Sequence, residues 1–144
     1  LISYATLNDY NKNMALATGG EGVIEPREGG AVNFMNGHIR GVVTGWRPEK
    51  FFAHTWNVFS PGETVSAWPV SYLEFTLTAE GQNTKLTLTH RPIFKEVQPQ
   101  TMMGWHTFLD MLDAGISGAA VAPRDTYMQK NAVTYGVDLS NLKR

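Results

Sequence analysis

GVVTGWRPEKFFAHTW, residues 41–56, sets the fold. Two runs rich in β-branched and aromatic residues flank Arg47-Pro48-Glu49-Lys50, a stretch with the chemistry of a tight turn, so the segment reads as two antiparallel strands joined by a short connection. Working outward, Val23 to Arg27, Ala31 to Phe34 and Ile39 to Trp46 precede or open the hairpin, Phe51 to Phe59 completes it, and Val70 to Ala79 and Thr84 to Ile93 come after it. Glu28-Gly29-Gly30, Asn36-Gly37 and Glu80-Gly81-Gln82-Asn83 separate these runs. Connectors this short favour hairpins over crossovers, so the expectation is an antiparallel meander. Ser60 to Pro69 is the one substantial loop, and Trp68 is a large apolar residue within it.

After the last strand the period changes. From Thr101 onward Met102, Trp105, Leu109, Leu112 and Ile116 recur at helical spacing, with Phe108 and Met111 widening the stripe. Gly115, Gly118 and Pro123 are expected to break that helix, and Pro123 followed by Arg124 and Asp125 opens a shorter one ending near Gly136.

A chain of 144 residues suits one domain with a real core, here spanning 1–144. Lys and Arg total 12 against 13 for Asp and Glu, so no excess of positive charge points to nucleic acid. The absence of cysteine excludes disulfides, thiolate metal sites and a cysteine nucleophile, which fits the cytoplasm. No run approaches the roughly 20 apolar residues of a membrane span, and Leu1-Ile2-Ser3 lacks the character of a signal peptide, so a soluble protein is expected. Gly19-Gly20 and Gly29-Gly30 do not sit in a phosphate-loop context. Histidine-carboxylate metal motifs, calcium loops and the hydrolase serine elbow are missing, so neither metal nor cofactor is expected.

Three motifs in order carry a resemblance. Gly41 through Trp56, with Pro48, Phe52 and Thr55-Trp56, resembles the strand pair of a family written as glycine, a β-run, proline, then an aromatic strand ending in Thr-Trp. Thr84 to Arg91 resembles that family's last strand, and Gly104-Trp105 with Leu109-Asp110 and Leu112 its helix signature; Pro26-Arg27 and Gly29-Gly30 fit its earlier strand and turn. The family is the domain named after the activator of the heat shock protein 90 ATPase, within the START-like (SRPBCC) superfamily that includes polyketide cyclases and the birch pollen allergen. The resemblance implies an α+β helix-grip fold: a curved antiparallel sheet wrapped around a long C-terminal helix, plus a short extra C-terminal helix. Such domains begin with a strand and two short helices, which Leu1 to Met14 lacks. Tyr4 to Leu7 fits the approach to that strand, and Leu16 to Gly20 fits the stretch just after the two helices. A segment is therefore expected to be missing near residues 11–18, with consecutive Cα atoms there much farther apart than about 3.8 Å.

Alternation places Phe52, His54, Trp56 and Val58 on one face and Phe51, Ala53, Thr55 and Asn57 on the other. Leu73, Phe75 and Leu77 point inward in the next strand, and Leu86, Leu88 and His90 in the last. The functional reading is a cavity between sheet and helix lined by Phe52, Trp56, Phe75, Leu88, Trp105 and Leu109, with His54 and His90 as polar fixtures; the plain alternative is that all of these fill the core. A structural role is expected for both histidines, since no nucleophile or carboxylate is marked near them in sequence. His106 and Asp110, four apart on the helix, read as a surface pair worth about 0.2 to 0.5 kcal/mol. The expected function is non-catalytic binding of a small hydrophobic molecule. The alternatives are a chaperone-interacting module with an apolar patch around Trp68, and a cyclase or hydrolase working in the cavity. Besides the small molecule, a chaperone and a second copy of the chain are the partners under consideration.

Overall fold

Apolar runs separated by turn residues pair with their nearest neighbours, because short connectors cannot carry the chain anywhere else. The computed structural model describes residues 22–142 apart from 61 and 67, so the discontinuity expected near residues 11–18 lies outside the described residues. Two compact units are formed, one ending at Pro92 and one beginning at Ile93. In the first, β1 (Val23–Ile24), β2 (Ala31–Phe34), β3 (Ile39–Arg47), β4 (Phe51–Val58), β5 (Ser71–Glu80) and β6 (Asn83–Arg91) make one sheet. Each strand pairs antiparallel with the next in chain order, which is the expected meander.

β1 is shorter than its composition suggests. The Glu25 carboxylate accepts the Ala31 N–H at 2.9 Å and the Arg27 guanidinium at 3.2 Å, so the turn begins before Arg27. Gly29 takes φ of 77°, and a side chain at Gly30 would overlap the Glu25 carbonyl. The last strand stops at Arg91 rather than Ile93, because Pro92 has no N–H for the ladder.

The larger surprise is in β3. Val43 pairs with His54 but Gly45 pairs with Ala53, so Thr44 is an extra residue in a β-bulge. One inserted residue inverts the face of everything after it. Ile39 and Val43 are buried ahead of the bulge, and beyond it Trp46, rather than Gly45, shares the face of Phe52.

In the second unit a single 3-10 turn (Lys95–Val97) leads into α1 (Gln98–Ile116), which starts three residues before Thr101 with Pro99 in its first turn, where a missing N–H costs nothing. Gly115 does not break it; the helix runs on to Ile116 and closes with Ser117 Oγ donating to Asp113 O at 2.7 Å. α2 (Arg124–Tyr135) ends at Gly136, whose φ of 65° gives the left-handed cap expected there. Met103, Met128 and Ala132 form this unit's apolar centre, with Tyr135 and Val137 against it.

Beside that centre runs a chain of polar contacts. Asn131, fully buried, donates to Thr107 Oγ1 at 3.2 Å and to Asp110 Oδ2 at 3.0 Å. Lys130 Nζ stands 3.4 Å from the same carboxylate, His106 Nε2 lies 3.5 Å from its other oxygen, and His106 Nδ1 meets the Tyr135 hydroxyl at 2.9 Å. His106 and Asp110 are therefore a clasp holding α2, not only the expected surface pair. Among the described residues no helix is long and apolar enough to cross a membrane.

Candidate functional site

The residues singled out on the sheet do share a face. Cross-strand register puts Trp46, Phe52, Phe75 and Leu88 in one row, and Val43, His54, Leu73 and His90 in the next. Trp56 stands opposite Ser71 in a third. Ring contacts join the rows. Phe52 and Phe75 stack at 5.8 Å, Trp46 meets Phe52 edge-on at 5.7 Å, and His54 is stacked on Trp56 at 6.1 Å. Phe34 of β2 closes the group, 6.2 Å from His54 and 6.4 Å from Trp56. Aromatic pairs at such separations add roughly 0.5 to 1.5 kcal/mol each beyond their buried area.

Burial grades across this face. Phe34, Phe52, His54, Leu73 and Phe75 are buried, whereas Trp46, Trp56, Leu88 and His90 are partly accessible. Trp105 and Leu109 lie in the second unit, half-buried on α1, with Trp105 edge-on to Phe108 at 5.7 Å. On the opposite face Ala53, expected to be outside, is buried: it is flanked across the strands by Gly45 and Glu74, and its single methyl is easily covered. Trp68 is half-buried, and its carbonyl accepts a hydrogen bond from Ser66 Oγ at 2.6 Å.

Both inward histidines are neutral at neutral pH. His54 Nδ1 donates to its neighbour's carbonyl, Thr55 O, at 2.9 Å; burial lowers its pKa from 6.5 to about 4, and that hydrogen bond offsets the effect only in part. His90 is likewise lowered to about 4, first by burial and then by the charge His54 would carry. Ser71 Oγ lies 3.2 Å from Trp56 O, to which it can donate, and is hydrogen-bonded to Nε2 of His90 at 2.7 Å, in a direction that the imidazole tautomer sets. A serine touching a histidine has the outline of a nucleophile and its base. Here burial makes the imidazole a weak base at neutral pH, and Trp56 O competes with it for the serine proton. The arrangement suits binding: an aromatic, uncharged surface with hydrogen-bonding groups at its accessible end.

Three residues of this face escaped the sequence reading. Trp46 was hidden by the bulge, although Thr44-Gly45 interrupting a β-branched run was a possible sign of one. Phe34 and Ser71 emerge only from strand pairing. Among the described residues no three His, Asp or Glu side chains gather as a metal site.

Comparison with known proteins agrees with this architecture. Residues 4–116 match the family described as activator of Hsp90 ATPase homolog 1-like protein. The crystal structure of CalU16 from Micromonospora echinospora is similar, with a TM-score of 0.60 at 21% identity over 88% of this chain and 79% of that one. An HSP90 activator from Plasmodium falciparum aligns with a TM-score of 0.58 at 21% identity, over 76% of this chain and 82% of that one. A protein of Bordetella parapertussis aligns with 0.60 at 18% identity, over 93% and 76%. At such identities the structural likeness shows the fold alone, the α+β helix-grip class. No curated protein sequence matches the chain.

Proposed function

The chain belongs to the activator of Hsp90 ATPase homolog 1-like family, and from that premise we propose that it binds a small hydrophobic molecule against the aromatic inner face of its sheet, without covalent chemistry. The observation that carries this reading is the graded face itself. A buried floor of Phe34, Phe52, His54 and Phe75 passes into a partly accessible rim of Trp46, Trp56, Leu88 and His90, with no charged side chain at the inward positions of β2 to β6.

The test is titration with the uncharged probe N-phenyl-1-naphthylamine. Its emission should rise on binding, with a matching change in tryptophan fluorescence from Trp46 and Trp56. Leu88→Trp should abolish uptake while shifting the melting temperature by only a few degrees, since Leu88 is not fully buried. A parent protein that takes up no probe at saturating concentration removes the proposal.

A second reading is favoured by the family and by the likeness to an HSP90 activator. In it the domain acts on a chaperone through its outer surfaces. Adding the purified chain to a heat shock protein 90 ATPase assay separates the two: stimulation that survives Leu88→Trp supports the chaperone reading.

A further inference from the structure

Away from the sheet, a hydroxyl, an imidazole and a carboxylate stand in line on the two helices of the second unit. Tyr135, in the last turn of α2, has its hydroxyl 2.9 Å from Nδ1 of His106, and Nε2 of the same ring lies 3.5 Å from Oδ1 of Asp110. The phenol meets the imidazole edge-on at 5.7 Å. We propose that Tyr135 is an acceptor for acyl groups, with His106 taking the phenol proton and Asp110 orienting the ring that takes it.

The order of the three groups sets the direction of the proton. A carboxylate can only accept, so the uncharged imidazole is best placed with its hydrogen on Nε2, facing Asp110, and its lone pair on Nδ1, facing the phenol. The tyrosine then donates to that lone pair, and its oxygen keeps its own electron pairs for a carbonyl carbon. Carboxylate, imidazole and hydroxyl in this sequence are the arrangement that activates an alcohol nucleophile. Asp110 is a positioning residue, and it is held in turn: Asn131 Nδ2 reaches its Oδ2 at 3.0 Å and Lys130 Nζ stands 3.4 Å from the same oxygen. Tyr135 and His106 are both partly accessible, so a small donor can approach the phenol. The lysine of the cluster is paired with Asp110 rather than left for a phosphate, so the fitting donor is an uncharged acyl compound with a good leaving group.

In the step itself the phenol oxygen bonds to the acyl carbon while its proton passes to Nδ1 of His106. The bond from the acyl carbon to the leaving group breaks, and the leaving group departs with that electron pair and takes the proton from His106, which returns the ring to its uncharged form. The product is a tyrosine ester. An ester has no proton to donate, so acylation also removes one of the contacts that hold α2 to α1.

The experiment treats the full chain with N-acetylimidazole at pH 7.5 and follows ester formation at each tyrosine by peptide mass spectrometry. Tyr72 is the internal control, since it is 48% exposed and lies outside the cluster. Tyr135 should acetylate at least about tenfold faster than Tyr72, although it is less exposed. His106→Phe should bring the rate at Tyr135 down to that of Tyr72 or below. Asp110→Asn, which keeps an acceptor for Asn131, should lower the rate at Tyr135 about tenfold and leave Tyr72 unchanged. Loosening of α2 cannot imitate these losses, because exposing Tyr135 would raise its rate. If His106→Phe does not fold, the parent ratio and Asp110→Asn decide. Tyr135 reacting no faster than Tyr72 in the parent, or a preference that survives His106→Phe, overturns the proposal; a preference that Asp110→Asn alone leaves intact removes Asp110 from it.

Discussion

A methyl group at Gly41 would overlap the carbonyl of Thr55 on the neighbouring strand. The same threonine uses its Oγ1 to accept the Val42 N–H at 2.9 Å. Two separated parts of one motif, the glycine and the Thr55-Trp56 pair, are thus one contact between β3 and β4. Gly41→Ala should cost roughly 3 kcal/mol, or a melting point lower by about 10 °C, because the backbone it strikes cannot move aside cheaply. Thr55→Val should cost about 1 to 2 kcal/mol for the lost acceptor. Gly104 supplies the opposite case, since a Cβ there meets nothing within 4 Å in the middle of α1. Gly104→Ala should stabilise by roughly 0.5 to 1 kcal/mol, and differential scanning calorimetry on the three variants checks the order. The sequence shows that these glycines and Thr55 form a pattern. It does not show which glycine is obligatory, because that depends on a backbone atom brought close only by strand pairing.

At the scale of elements, alternation was enough to place Phe52, His54 and Trp56 of β4 and Leu73 and Phe75 of β5 on one face, since neither strand is interrupted. It could not do so for β3, where Thr44 changes the parity midway, nor reveal Ser71 against His90, a contact between positions 19 apart. The α2 clasp was half legible. His106 and Asp110 were visible as a helical pair, but their partners Tyr135, Lys130 and Asn131 lie on another helix. Asn131 Oδ1 is buried without a hydrogen-bond partner, so the clasp already carries one unsatisfied acceptor and depends on the bonds its amide nitrogen makes. Asp110→Ala should therefore speed amide exchange through Arg124–Tyr135 by about tenfold and leave β4 and β5 unchanged. Uniform protection across both units in the variant would mean that the clasp contributes nothing.

For the whole molecule, the two histidines make stability depend on pH. Each imidazole protonates near 6.5 in the unfolded chain and near 4 in the folded one, so between those values the unfolded state binds more protons. Stability is complete above about 6.5 and is lost as pH falls toward 4, with about 3 kcal/mol from His54 over that window. Asp138, held below the usual carboxylate range by hydrogen bonds from Ser140, adds its loss only at lower pH. Urea melts from pH 7.5 to 4.5 should show the midpoint falling and His54→Phe flattening the curve; a parent midpoint constant over that range would refute the assignment. The clasp has a consequence on another timescale. The family match ends at residue 116, and α2 begins at Arg124. The matched stretch thus holds His106 and Asp110 but not their partners on α2. In an alignment of relatives these two positions should covary with Lys130, Asn131 and Tyr135 wherever the extra helix is inherited, and drift freely in lineages that have lost it.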